Sequence, residues 1–196
     1  MNSFYSDEEL KQIGFKYVGD ENVLISRKAS LYGVTEISIC NNVRIDDFCI
    51  ISGKITIGNY VHIAAHSALY GGKCGITIDD FANISSRVSI YGINDDYSGE
   101  TMTNPMVMER CKKLKSAPVY IGKHVIVGST SVILPGVSLQ TGSAFGSFSL
   151  IKNSSEPWSI NVGVPAKKIK DRSKDLLKYE NRFYNEKDAG DIVEDI

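Results

Sequence analysis

The chain has no apolar run long enough to cross a bilayer, and its opening residues, MNSFYSDEELKQIG, are polar and acidic rather than built like a secretory signal. Cytoplasmic residence and no membrane partner are therefore expected. It also lacks an excess of either charge: 22 Lys and Arg face 23 Asp and Glu, for a formal net charge of −1. A polyanion-binding surface needs a basic surplus, so no nucleic-acid partner is expected. Cysteine is scarce, and the gaps between Cys40, Cys49, Cys74 and Cys111 match neither a disulfide framework nor a zinc module. Free thiols follow, with Cys40 and Cys49 reading as small apolar fillers. Histidine is scarcer still. His62, His66 and His124 are joined by no carboxylate cluster that would complete a metal site, so no metal is expected and each reads first as structural.

What the chain has in abundance is a sixfold lattice of apolar residues. Ile39, Ile45, Ile51, Ile57, Ile63 and Leu69 run in step; Ile78, Ile84 and Ile90 resume after a three-residue slip; Ile121, Val127, Ile133, Leu139, Phe145 and Ile151 form a third run. Small or branched residues recur four places later, among them Val43, Cys49, Val61, Ser67, Val125, Ser131 and Ser149. A helix repeats near 3.6 residues and a strand at 2, so a strict period of six asks for short strands and tight turns wound around a prism. Three hexads close one triangular coil, lattice positions stack inward, and Gly58, Asn59, Gly122, Gly128, Gly136 and Gly146 read as corners. The fold class is all-β, a parallel β-helix in one domain spanning 1–196.

Ser6 and Glu9 form an S-x-x-E capping box, which predicts a short helix over 7–13 closing the open end of the prism. Coils are expected over 23–90 and 119–151, with an inserted loop over 91–118. An interruption of that length inside a solenoid is expected to be functional. Apolar residues at Ile169, Leu176, Leu177, Tyr179 and Phe183 predict an amphipathic helix over 173–185, and the terminal DAGDIVEDI reads as frayed.

The segments ITIGNYVHIAAHSALYGG, ITIDDFANISSRVSI and VYIGKHVIVGSTSVILPGVSLQTG, followed by GVPAKKIK, resemble the hexapeptide-repeat acyltransferases. The resemblance covers roughly 23–170. It implies a left-handed helix sense, an acetyl-CoA co-substrate, and a homotrimer whose active sites lie between subunits where the loop meets a neighbour. Many members carry a histidine base where the coil gives way to that loop; here the stretch is Tyr91-Gly92-Ile93-Asn94-Asp95-Asp96, with Asp95 at the histidine's place. A sugar hydroxyl gains much from a base poised near neutral pH. An amine already carries its lone pair, and a carboxylate suffices to aim it. Asp95 therefore favours an amino acceptor, with Asp96 or Glu100 assisting.

With that departure the chain is most similar to N-acetyltransferases acting on dTDP-4-amino-4,6-dideoxyglucose. The stretches NNVRIDDFCIISGKITIGNYVHIAA, DFANISSRVSIY and DDYSG carry the likeness. It implies acetylation of the C4 amine of a nucleotide sugar for O-antigen or another surface glycan, with Asn83, Ser85, Arg87 and Asn94 touching nucleotide or sugar. On the donor side, Gly128, Ser129, Gly146 and Ser147 stand at successive corners along which the family lays pantetheine. Lys152, Lys167, Lys168 and Arg172 are placed for the adenosine phosphates, and Pro165 in GVPAK for the adenine end. The alternative reading is O-acetylation of a sugar or antibiotic hydroxyl, which requires a working histidine near the loop. A carbonic-anhydrase relative would need three converging histidines, and a bare scaffold would need neither the acidic loop nor the GVPAK tail.

Overall fold

A computed structural model describes residues 3–188. Strands, most of two or three residues, alternate with corners, and those of the coils pair in parallel with their counterparts one coil on: Ile45 opposite Ile63, Ile63 opposite Ile84, and Ile126 opposite Ala144. Every lattice residue named above is buried, most of them at 0 % exposure. Each buried aliphatic side chain contributes about 1.5–3 kcal/mol, so the stack of Ile and Val is the main stabilising feature of the prism.

The prism has three edges, which we number in chain order. The first passes through Asn42, Tyr60, Phe81, His124, Gly142 and Trp158, and the second through Phe48, His66, Arg87, Thr130 and Phe148. All of these adopt left-handed backbone angles, with φ between 52° and 70°. The third edge does so with Gly33, Gly53, Gly72 and Gly136. Glycine was expected at the corners generally. Instead, two edges hold bulky residues in a conformation that costs an L-residue roughly 1–2 kcal/mol. Stacking offsets part of that on the first edge, where Tyr60, Phe81 and His124 lie ring on ring at 4.8 and 5.1 Å. Gly58, Gly122, Gly128 and Gly146 are glycines for another reason. A Cβ on Gly128 would sit 2.5 Å from the amide nitrogen of Ser147 in the next coil.

Two departures from the lattice leave from the third edge. The three-residue slip is a bulge within the strand Ala68–Ile78, after which the register recovers with Ile55 opposite Ile76 and Ile57 opposite Ile78. The long excursion leaves after Tyr91 and returns at Val119. Its neck is a two-stranded antiparallel pair, Ile93–Asn94 with Lys115–Ser116, and the Gly92 carbonyl accepts from both the Ala117 amide and the Ser116 hydroxyl.

Helix α1 spans Asp7–Ile13 with both hydrogen bonds of the capping box formed, and Gly14 closes it in the left-handed conformation. Arg27 clamps Glu9 at 2.6 Å and, with the Ser6 amide, holds its pKa down at about 2. Helix α2 spans Leu176–Asp188, three residues later than the apolar pattern suggested. The difference arises at 166–171, which form the second strand of an antiparallel hairpin with Ser159–Gly163 and carry Ile169 away from the helix. α2 lies over the face between the first and second edges, with Phe183 edge-on to Tyr60 and Phe81. The frayed end expected for 188–196 falls, beyond Asp188, outside the described residues. Among the described residues no helix is long and apolar enough to cross a membrane.

Candidate active site

The inserted loop builds an acidic cavity of 630 Å³. Asn94, Asp95, Asp96 and Glu100 line one side and Lys113 and Lys115 the other. The four acidic and amide residues singled out in the sequence are thus brought together. Their states differ. Asp96 is the loop's internal anchor: the Ser98 hydroxyl and amide, at 2.7 and 2.8 Å, and the Thr101 hydroxyl and amide, both at 2.9 Å, all donate to it. These donors, Ser98 first, hold its carboxyl far below the usual carboxylate range. With both oxygens engaged, Asp96 shapes the turn. Asp95, half-buried beside it, receives one long contact of 3.4 Å from the Asn104 amide and keeps its carboxylate available to a ligand. Glu100 is exposed at the cavity's outer lip.

A second cavity, of 440 Å³, adjoins the first through Asn94 and Tyr97 and is floored by Tyr91, Val132 and Leu134. These floor residues belong to the face between the second and third edges. On that face Tyr70 and Tyr91 stack at 5.3 Å. Burial first, then the neighbouring Tyr91, pushes the Tyr70 hydroxyl up from its ordinary value. Tyr97 lies in the polar loop stretch that the sequence marks as functional, whereas the stacked pair of Tyr70 and Tyr91 was not read from it. The pair was recoverable, since the two sit one coil plus the three-residue slip apart and so stack.

Ser85 and Arg87 occupy the second edge, and Gly128, Ser129, Gly146 and Ser147 stack on that same edge one and two coils further on. Backbone hydrogen bonds fix the alignment: the Ser85 amide donates to Val127, the Gly128 amide to Phe145, the Thr130 amide to Ser86 and the Phe148 amide to Ser129. One continuous edge therefore carries residues assigned to both substrates. The smallness of Gly128 and Gly146 serves the protein itself, because the next coil and the side chain of Val162 fill the space where a Cβ would stand.

Asn83 lies elsewhere. It faces α2 in a 470 Å³ cavity with Phe81, His124 and Glu180, and its buried Oδ1 has no hydrogen-bond partner. Position on the lattice could not reveal this, because it does not say which face a helix will cover. His124 bonds Glu180 at 2.8 Å beneath that helix. His62 pairs with Asp46 at 2.8 Å and His66 stacks on Phe48 at 5.0 Å, so the three histidines occupy three separate settings.

At the far end, Lys152 continues the column of Tyr91 and Leu134 and is exposed, while Pro165 and Lys167 lie at the turn of the terminal hairpin. The basic cluster is smaller than its sequence suggests. Lys168 is held by Glu156 and Asp171, and the half-buried Arg172 guanidinium donates to the carbonyls of His124 and Gly142. Arg172 is a structural tie, and Lys152 and Lys167 are the cations left facing outward.

Comparison with known proteins agrees with this layout. Residues 36–71 match the bacterial transferase hexapeptide family (six repeats). The chain is 54% identical to the dTDP-4-amino-4,6-dideoxy-D-glucose acyltransferase of Escherichia coli, over 91% of this chain and 94% of that one. It superposes with a TM-score of 0.92 at 54% identity on a serine-to-alanine variant of AntD, an N-acyltransferase from Bacillus cereus, covering 94% of this chain and 99% of that one. That structure was solved with dTDP-4-amino-4,6-dideoxyglucose and coenzyme A. AntD in complex with dTDP and 3-hydroxybutyryl-CoA superposes at 0.93 with 53% identity, covering 96% and 100%. The acetyltransferase NeuO, at 20% identity and a TM-score of 0.64, shares the fold. With identity at this level across nearly its whole length, the chain belongs to the hexapeptide-repeat acyltransferases, enzymes built on a left-handed parallel β-helix, and within them to the branch of the dTDP-4-amino-4,6-dideoxyglucose N-acyltransferases.

Proposed function

We propose that the protein transfers an acyl group, acetyl in the simplest case, from acyl-CoA to the C4 amine of dTDP-4-amino-4,6-dideoxyglucose, supplying an N-acylated deoxysugar for a surface glycan such as O-antigen. One observation carries this reading. The position where a hydroxyl-directed relative holds its histidine base is occupied by Asp95, whose carboxylate opens into the loop cavity with a single weak internal contact. The neutral amine needs orientation more than deprotonation. Asp95 accepts a hydrogen bond from it, aims its lone pair at the thioester carbonyl, and stabilises the ammonium that forms on attack. When the tetrahedral intermediate collapses, the C–S bond breaks, the CoA thiolate leaves, and the proton shed by the amide nitrogen goes to that thiolate, giving free CoA-SH. Asn94 and Glu100 complete the polar wall; Ser85 and Arg87 on the second edge are assigned to the nucleotide sugar.

The donor runs along the second edge past Gly128, Ser129, Gly146 and Ser147, with Lys152, Lys167 and Pro165 at its adenosine end. A free edge and a protruding loop on one chain leave each site half-built, and a homotrimer with sites between subunits completes it. Acyl-CoA and nucleotide sugars place the reaction in the cytoplasm.

The test is CoA release by the purified protein, comparing the dTDP-4-amino sugar with its 4-hydroxy counterpart, each with acetyl-CoA and 3-hydroxybutyryl-CoA, for wild type and Asp95→Ala. Turnover confined to the amine and reduced about 10²–10⁴-fold by the substitution is expected. Turnover on the hydroxyl sugar would overturn the reading in favour of O-acylation, and an undiminished Asp95→Ala enzyme would overturn the role given to Asp95.

A further inference from the structure

The inner wall of the second edge carries a repeating polar device. At the station formed by Cys49, Ser67, Val88, Ser131 and Ser149, the side chains point into the prism, and all are buried. Ser67 Oγ donates to the Ser85 carbonyl at 3.0 Å and accepts from the Val88 amide at 3.3 Å. One buried hydroxyl thus spans the whole left-handed corner from 85 to 88. Two coils on, Ser131 repeats the arrangement, donating to the Gly146 carbonyl at 3.3 Å and accepting from the Ser149 amide at 3.1 Å. Cys49 Sγ makes the weaker thiol version, 3.2 Å from the Ala64 carbonyl. Val88, the station residue beneath the Gly128 corner, has nothing to donate.

A trans peptide points its carbonyl and its N–H in opposite directions. A carbonyl fixed inward at Ser85 therefore turns the Ser86 N–H outward, and one fixed inward at Gly146 turns the Ser147 N–H outward. Neither amide has an acceptor among the described residues. These are donors at the surface of the edge assigned to the substrates, held by groups no ligand touches. Without Ser67 the Ser85 carbonyl would be buried and unpaired and the corner peptide would be free to rotate, so the outer donor would lose its aim. At Gly146 the Ser149 hydroxyl also donates to the carbonyl, at 2.6 Å, so Ser131 shares the bracing there and alone holds the Ser149 amide.

We propose that Ser67 and Ser131 are positioning residues for the transfer reaction: Ser67 aims the Ser86 amide at the nucleotide-sugar side, and Ser131 aims the Ser147 amide at a pantetheine carbonyl of the donor. The proposal rests on the function given above. The protein itself supplies isosteric controls, since the station accepts Cys at 49 and Val at 88. In wild type, Ser67→Val, Ser67→Cys, Ser131→Val and Ser131→Cys, steady-state kinetics are measured for each substrate separately, with Tm recorded for every variant. Ser67→Val should raise KM for the nucleotide sugar about three- to tenfold and leave KM for acyl-CoA unchanged. Ser131→Val should raise KM for acyl-CoA alone, by a smaller factor because Ser149 still donates to the Gly146 carbonyl. The Cys variants should fall between Val and wild type. Ser143→Ala, which removes an interior hydroxyl that braces no corner, should leave both KM values alone. A crossed pattern independent of Tm supports the assignment. Equal effects on both substrates, or loss that only follows Tm, overturns it, and inactive wild type would instead overturn the underlying function.

Discussion

The coils before the loop and the coils after it are wound to one plan but filled differently. Before the loop the interior is mostly aliphatic: Ile37, Ile55 and Ile76 stack, as do Ile45, Ile63 and Ile84, and Ser26 and Ser67 are the two buried hydroxyls among the described residues there. After it, Ser131, Ser143, Ser149, Ser159 and Asn161 share the axis with Val127, Ile133 and Phe145. Nearly every polar group in the later coils is spoken for. Ser149 Oγ reaches the Gly146 carbonyl at 2.6 Å, Ser159 Oγ the Glu156 carbonyl at 2.7 Å, and Asn161 Nδ2 donates to Ser159 at 2.9 Å. The early coils are arranged for stability. The later ones surrender some apolar burial to set the shape of the edge, which is where the donor substrate is assigned.

That contrast can be broken in order of expected effect. Ile63→Ala, in the middle of the aliphatic stack, should cost about 2–5 kcal/mol in urea unfolding, because rigid coils above and below cannot collapse onto the cavity. An equal loss from any later serine would erase the distinction. Ser159→Ala should cost less, about 1–3 kcal/mol, by depriving Asn161 of its buried acceptor.

A third test moves to the outer face of the later coils, where Lys123 and His124 hold Glu180 of α2. Burial raises the Glu180 pKa, but the hydrogen bonds from Lys123 and His124 outweigh it and the net shift is downward. A carboxylate whose folded pKa lies below its unfolded value stabilises fully above the unfolded value and loses that contribution as pH falls through the folded one. α2 should therefore detach on acidification, before the aliphatic coils unfold. The single tryptophan, Trp158, 6.5 Å from His124, reports it by fluorescence, and Glu180→Gln should abolish the acid step. The smallest effect belongs to Ser143→Ala. Its buried Oγ has no partner, so removal should change stability by no more than about 0.5 kcal/mol or raise it slightly, by the same urea measurement.

Much of this was legible in the chain. Period six is written in residues that must be buried, so Ile39 through Ile151 announce the coils, and the break after Tyr91 announces the loop. The capping box at Ser6 and Glu9 is a local signal and was readable as such. The conformations at the corners were not, because left-handed angles normally advertise glycine, whereas Phe48, His66, Arg87 and Phe148 adopt them with full side chains. Within the site, Asp95 and its neighbours cluster because one short stretch of the loop, 94–100, carries them all. The setting of Asn83 was not legible, because only the docked α2 decides that its face is covered, nor was that of Asp96, whose engagement with Ser98 and Thr101 depends on how the loop closes.

The glycine-bearing third edge behaves as an expansion joint. The three extra residues near Gly72 and the long excursion after Tyr91 both enter there, and in each case the strands beyond resume the same register. Spare length introduced at that edge is absorbed locally and transmits no displacement along the axis. New segments could therefore be spliced in beside Gly53 or Gly136 while the remaining coils, and the substrate edge across the prism, stay where they are.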